Sequence, residues 1–221
     1  MLNLGKSLTL CLAASALMLS ACGKEAKPNL LKDIQVEMSS WRLTKNATDA
    51  YPNLPEEKAK KRYANDMMFN YFRKEENPEK RHLTAAMAYL GYAQMNTRAR
   101  PAYCTKLRVD ISAFKSRFES QHRAEDKAVD TILAKQSLTR DMIWEQNERM
   151  MMVNVKNDLL RAGGLHGSHA MCSDIKKKPQ KYAQPFNFTK IMPVAAAQLR
   201  QAQAQAVTQH AELTAAPTLR K

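Results

Sequence analysis

Apolar residues along most of this chain recur every three or four positions, which is the spacing of an amphipathic α-helix. Leu31, Ile34, Met38 and Trp41 have this spacing and predict a first helix that ends at about Lys45. The strict alternation of apolar and polar residues that is typical of β-strands is scarce throughout the chain. The pattern therefore predicts an all-α fold.

Four further helices are predicted from the same spacing and from the residues that begin and end helices. They cover residues 56–75, 79–95, 101–135 and 139–161. A loop with two prolines is predicted over 46–55, and a basic turn is predicted over 97–100. For 101–135 we expect one long helix, with a bend or a break near His122 as the alternative. Gly163 and Gly164 are expected to end the helix that begins at Thr139.

The composition changes after about residue 164. A short helix is predicted to carry Cys172 within 165–178, and prolines at 179, 185 and 193 are expected to keep the following segment extended. Three aromatic residues in that segment are predicted anchors: Tyr182, Phe186 and Phe188. From Ala195 the Ala- and Gln-rich end permits a helix but has few large apolar residues to bury, so a frayed helix followed by a disordered end is expected there. We therefore expect a bundle of about five helices over 30–178 and a flexible tail over 179–221.

The N-terminus has the features of an export signal. Lys6 precedes an apolar run from Leu8 to Leu19, and no acidic residue occurs before the cysteine at position 22. The sequence Leu19-Ser20-Ala21-Cys22 resembles the lipobox of bacterial lipoproteins. That resemblance implies that the signal peptide 1–21 is removed, that Cys22 carries the lipid, and that 22–29 forms a tether.

Two other interpretations of this segment fit less well. A membrane-spanning helix needs about 20 apolar residues, and this run is shorter. Ordinary signal cleavage prefers small residues at −1 and −3, and Leu19 is large for the −3 position. If the host is Gram-negative, Gly23 after the cysteine resembles lipoproteins of the outer membrane, and we expect the protein to face the periplasm from there.

The chain is strongly basic, with 35 Lys and Arg against 21 Asp and Glu and a formal net charge of +14. An exported protein rarely meets nucleic acid, so we expect no nucleic-acid partner. The excess charge either favours an acidic envelope component, such as a protein, anionic lipid or cell-wall carboxylates, or serves solubility alone. The candidate contact residues, all expected at the surface, are Lys58, Lys60, Lys61, Arg62, Arg98, Arg100, Lys176, Lys177 and Lys178.

The predicted export bears on how the cysteines pair. Cys11 lies in the signal peptide and Cys22 is the lipidation residue, so the mature chain retains only Cys104 and Cys172 as thiols. An even pair in an exported protein predicts a disulfide between them. The segments that carry the two residues must then lie side by side.

Little in the sequence indicates catalysis, and we expect a non-catalytic interaction or adaptor protein without a cofactor. His166 and His169, close to Cys172 and several methionines, are weak candidates for a copper or zinc site in a metal or small-ligand carrier. Glu119-Ser120 resembles the Glu-Ser pair of lysozyme-like lytic transglycosylases, which would make Glu119 the general acid of a peptidoglycan-active enzyme. A convincing downstream Gly-x-x-Gln segment is lacking.

Overall fold

A computed structural model describes residues 40–215, and this part of the chain is α-helical without β-strands. The all-α prediction is confirmed. In the described range, eight α-helices have ten residues or more and three are shorter. In chain order, the helices are α1 Ser40–Ala50, α2 Glu56–Lys74, α3 Pro78–Gln94, α4 Arg100–Lys106, α5 Ser112–Gln121, α6 Arg123–Lys135, α7 Arg140–Gly163, α8 Gly167–Lys177, α9 Pro179–Ala183, α10 Phe188–Ile191 and α11 Pro193–Ala215.

The N-terminal predictions lie largely outside these residues. The signal peptide 1–21, Cys22, the tether 22–29 and most of the first predicted helix precede Ser40. Helix α1 continues to Ala50. The loop predicted over 46–55 is therefore wrong for residues 46–50. Ala47 is fully buried where α1 packs on α2. The helix stops at Tyr51 because the residue before Pro52 is disfavoured in helical conformation. Among the described helices, none has the length and apolar character that a membrane span requires.

Two helices begin and end as their capping residues predict. The Asn77 side chain accepts hydrogen bonds from the backbone N–H groups of Glu79 and Lys80, and α3 starts at the proline between them. The Thr139 hydroxyl accepts from the N–H of Met142 at the start of α7. Gly164 ends α7 with φ +52°, a backbone conformation that glycine adopts without steric cost.

The basic turn predicted over 97–100 is wrong, because the chain remains helical from Pro78 to Lys106. A short π-helical segment, Met95–Ala99, joins α3 to α4. Pro101 explains the irregularity: it lacks an N–H group and its ring crowds the carbonyl four residues earlier. Thr97 and Asn96 side chains donate to the carbonyls of Ala93 and Tyr92, which supports the widened turn.

The single long helix expected over 101–135 is also wrong, since the chain breaks twice. After α4, Arg108 adopts a left-handed conformation with φ +59°, and Asp110 accepts a hydrogen bond from the Ser112 N–H at the start of α5. The second break lies at His122 between α5 and α6, where a bend or a break was the alternative prediction. Three helices therefore replace the expected one.

The C-terminal segment is part of the bundle up to Ala215, so the flexible tail expected from residue 179 is wrong over 179–215, although the helix expected from Ala195 is present as α11. Pro179 and Pro193 begin helices instead of keeping the chain extended, because proline fits the first helical turn. The three predicted aromatic anchors at 182, 186 and 188 are buried. Helix α11 packs on α3 and α6, where Leu199 and several small alanines are buried by close helix approach.

His122 joins this C-terminal segment to the core. Its ring is 1% exposed and lies among the aromatic rings of Tyr89, Tyr92, Phe118 and Phe188. Nδ1 lies 2.8 Å from the Phe118 carbonyl oxygen, and Nε2 accepts a 3.1 Å hydrogen bond from the Phe188 N–H. This pairing requires a proton on Nδ1 and none on Nε2. The neutral imidazole is therefore the form that the fold holds.

We expect the stability of the protein to fall as the pH is lowered below about 6.5, partly through His122. Burial lowers the pKa of His122 from its ordinary value of 6.5, although Phe118, Glu125 and Asp126 favour the charged form. The unfolded chain therefore binds more protons in this range, which destabilises the fold. Urea unfolding of His122→Gln between pH 7 and pH 5 should show a shallower loss of stability than the wild type.

His169→Gln is the matched control, because this histidine is exposed, and its pH dependence should equal that of the wild type. His82 is buried and also has a lowered pKa, so part of the wild-type slope should remain in His122→Gln. Identical slopes in His122→Gln and wild type would show that His122 is not the group responsible.

Candidate interaction surface and polar cleft

The predicted disulfide between Cys104 and Cys172 is present and fully buried. It joins the last turn of α4 to α8, with a Cα–Cα distance of 5.6 Å across 68 residues of sequence. Helix α8 also packs on α5, α7 and α9. The bond therefore sets the residues that follow each cysteine next to one another at one side of the bundle.

Six exposed cationic side chains lie in the segments that follow the two cysteines, and we call them the disulfide-side patch. They are Lys106, Arg108, Lys176, Lys177, Lys178 and Lys181. Two carboxylates, Asp110 and Asp174, lie among them. Hydrogen bonds from Ser112, and then the charge of Lys176, lower the pKa of Asp110. Lys176 thus acts across the gap between the two segments.

The second carboxylate is held inside the patch by its neighbours. The Lys178 ammonium lies 2.8 Å from an Asp174 oxygen, and the Tyr182 hydroxyl donates to the same carboxylate. These hydrogen bonds, together with the charges of Lys178 and Lys181, lower the pKa of Asp174. Burial and the same carboxylate raise the pKa of Tyr182 to about 12. Asp174 is therefore already partnered by Lys178, and the other five patch cations have no ion pair in the described part of the protein.

Half of this patch was missed at the sequence level. Lys176, Lys177 and Lys178 are exposed as expected, whereas Lys106, Arg108 and Lys181 were not among the candidate residues. For two of these three residues, the sequence did contain a signal. Lys106 and Arg108 follow Cys104 closely, so the predicted disulfide already implied that they face the basic run after Cys172.

Arg108 adopts an unusual backbone conformation for its residue type. Its φ of +59° places it in the left-handed region, at the position after a helix where glycine is most common. For a residue with a β-carbon, this conformation costs about 1–2 kcal/mol. The guanidinium makes no ion pair or hydrogen bond to another residue between 40 and 215. Backbone hydrogen bonds from Arg108 to Thr105 and from Val109 to Cys104 hold the turn, but no described contact of the guanidinium explains arginine at this position.

The other predicted basic cluster lies elsewhere. Lys58, Lys61 and Arg62 are exposed near the start of α2, which packs mainly on α1 and α11. Lys60, in contrast, is only 5% exposed and pairs with Glu56 one turn earlier. The predicted surface position of Lys60 is wrong, because its alkyl chain lies on the buried side of α2.

The two predicted arginines near residue 100 differ from each other. Arg98 is half-buried, with its guanidinium 2.6 Å from an Asp141 oxygen and over the Trp144 ring. Arg100 is completely buried, so its predicted place at the surface is wrong. Its Nη2 donates to Asp158 Oδ2 at 2.6 Å.

Arg100 has two further neighbours in the interior. Its Nε donates to Asn96 Oδ1 at 3.3 Å, and the guanidinium carbon lies 5.3 Å from the centre of the Phe186 ring. Asp158 is also buried, at 5% exposure. Arg100 therefore links α4 to α7 inside the fold and is unavailable to a partner.

The weak metal candidates are not assembled into a site. His166 and His169 are exposed, and Cys172 is oxidised in the disulfide. Within residues 40–215, no three histidine, cysteine or acidic side chains lie close enough together to hold a metal ion. Catalysis or transport through a metal at these histidines receives no support from the geometry.

A polar cleft of about 570 Å³ lies beside α5, α6 and the start of α7. Arg140 crosses it and donates to Asp126 and Asp130 at 2.8 and 2.7 Å. Glu119 and Ser120 lie on its wall. Glu119 is exposed and lies 3.8 Å from the Lys115 ammonium. A general acid for sugar cleavage needs apolar surroundings that keep it protonated, and these surroundings are polar.

Comparisons of the chain with protein-family models, with curated proteins and with solved structures find no match.

We expect Arg100→Met to destabilise the fold by about 3–5 kcal/mol, because it leaves the Asp158 carboxylate buried without its cation. Arg100→Met/Asp158→Leu removes both charges and should recover most of that loss. Arg98→Met is the matched control, because the partner of Arg98 is the exposed Asp141, and it should cost less than about 1 kcal/mol. Urea unfolding measures all three, and equal effects of the two single variants would contradict the structural role of Arg100.

Proposed function

We propose that this protein is a lipid-anchored, non-catalytic interaction module that binds an acidic component of the cell envelope through the disulfide-side patch. The observation that carries the proposal is the gathering of six exposed cations around the Cys104–Cys172 bond, with only two carboxylates among them. Single exposed charges contribute little to binding. A cluster of one sign attracts an oppositely charged surface and accelerates association.

Two features distinguish this patch from charge that serves solubility alone. First, the disulfide fixes the two segments relative to each other, so their backbones do not need to be brought together when a partner binds. Second, Arg108 occupies a backbone position that glycine would fill at lower cost. Strain at one residue is a reason to look for a role of its side chain in binding.

The proposed anchor makes a modest affinity sufficient. The lipobox resemblance at Cys22 supports attachment by two or three acyl chains, which hold a protein stably at a membrane. Confinement to one membrane raises the effective concentration of a partner in the same layer. In a Gram-negative host, we propose the periplasmic side of the outer membrane as the location.

We expect charge reversal in the disulfide-side patch to release the partner. In intact cells, the yield of crosslinked partner should fall at least tenfold in a variant with Lys106→Glu, Lys176→Glu and Lys177→Glu. The matched control reverses three exposed lysines of α2, at positions 58, 61 and 74, and should retain it. Lys178 is left unchanged because it pairs with Asp174. Loss in the α2 variant alone would assign binding to the other cluster.

Arg108→Gly separates binding from folding within the same experiment. Glycine removes the left-handed strain, so the unfolding free energy should stay equal or rise, while crosslinking should decrease. Cys22→Ala should reduce crosslinking through loss of the anchor without changing the patch. If Arg108→Gly lowers neither binding nor the salt sensitivity of binding, Arg108 does not belong to the contact surface.

A peptidoglycan-active enzyme is the second candidate, because Glu119 and Ser120 lie on the wall of the polar cleft. Glu119 is exposed and lies beside Lys115 and not in an apolar pocket, so we expect purified protein to leave peptidoglycan intact. Chromatography of soluble glycan fragments measures this. Fragment release that disappears in Glu119→Gln would replace our proposal with an enzymatic one.

A further inference from the structure

A second cavity, of about 210 Å³, lies between the start of α3, the end of α6 and the face of α11. Ile132, Ala202 and the His82 ring line it and are buried. The remaining lining side chains are mainly polar and exposed. Buried residues therefore form the floor, and polar residues form the rim. The three helices come from distant parts of the chain, so the cavity exists only in the folded protein.

The His82 imidazole on the cavity floor has a ring nitrogen without a hydrogen-bond partner. His82 is 7% exposed, and its Nε2 is enclosed without a partner in the described part of the chain. A buried polar atom without a hydrogen bond is destabilising, and an apolar ring would fill the same space without that cost. The choice of histidine is thus unexplained by packing alone.

The rim carries polar side chains that the protein itself does not use. The Glu79 carboxylate, the Lys135 ammonium and the amides of Gln136 and Gln205 line the cavity. None of these four side chains makes a hydrogen bond or ion pair to another residue within 40–215. One cation, one anion and two amides therefore converge on one cavity with their bonding capacity free.

We propose that this cavity binds a small zwitterion of the α-amino-acid type, with its carboxylate toward Lys135 and its ammonium toward Glu79. A simple anion would be repelled by Glu79, and a simple cation would be repelled by Lys135. A ligand that carries both charges satisfies both rim residues. The amides of Gln136 and Gln205 each offer donors and an acceptor for the rest of the ligand.

The charge environment of His82 agrees with this arrangement. Burial, followed by the charges of Arg81 and Lys135, lowers the pKa of His82, while the charge of Glu79 raises it. Both rim charges are therefore close enough to act on the ring. A neutral imidazole presents one donor and one acceptor, which suits a polar ligand better than a second cation would.

This inference is independent of the proposed partner and is tested on the full-length protein. L-alanine and L-glutamine are the probes, and acetate and methylammonium are the two single-charge controls. Thermal unfolding should shift upward by about 5–10 °C at an amino-acid concentration one hundred times Kd. Calorimetric titration should show acetate and methylammonium binding at least tenfold more weakly than the better amino acid.

Variants at the rim locate the site without disturbing the core. Glu79→Gln and Lys135→Gln should each weaken amino-acid binding at least tenfold, and Lys127→Gln, on α6 but outside this cavity, should leave it unchanged. His82→Phe should abolish binding while the protein stays folded. The proposal is overturned if neither amino acid binds, if acetate alone binds equally well, or if the Lys127 variant behaves like the Lys135 variant.

Discussion

The covalent bond between Cys104 and Cys172 is the constraint on which the arrangement of the bundle depends. It closes a sequence separation of 68 residues, which stabilises the fold by about 4 kcal/mol when chain entropy alone is considered. One helical turn before Cys104, Arg100 reaches Asp158 on α7, and α7 in turn packs on the helix that carries Cys172. The disulfide and the buried ion pair thus hold the same three helices. Burying two charges is costly, and a neighbouring covalent link helps the fold to tolerate that cost.

A different kind of contact secures the C-terminal third. His122 lies between α5 and α6 and binds one backbone group on each side, the Phe118 carbonyl and the Phe188 N–H. The second of these bonds fixes α10, and α11 follows at once along the chain and covers α3 and α6. A single neutral imidazole therefore connects the middle of the bundle to the segment that closes the cavity at His82. Acidification acts on both histidines in the same direction.

The parts of the fold that the sequence predicted are those that depend on neighbouring residues. Asn77, Thr139 and the two glycines after Arg161 mark helix ends because capping is a local interaction. The break after α4 was missed because arginine gives no signal for a left-handed residue. The C-terminal helix was expected to be frayed and not packed, because alanines bury little area one by one, although their small size lets α11 approach its neighbours closely. Proline was ambiguous, since it both interrupts helices and begins them.

The burial of charged residues was also not predictable from their sequence neighbours. Arg100 and Arg98 are two residues apart and chemically identical, and both pair with an aspartate of α7, yet only Arg100 is fully buried, because its partner Asp158 is buried whereas Asp141 is exposed. Lys106 and Arg108 could have been assigned to the disulfide-side patch, since a predicted disulfide is a distance restraint on everything beside it. The four polar side chains at the rim around His82 could not have been grouped from the sequence, because they lie on or next to α3, α6 and α11, which only packing brings together. In a sequence, a site is therefore best sought among residues that are close along the chain or joined by a predicted disulfide. In a structure, it is best sought among polar groups that lack a hydrogen-bond partner.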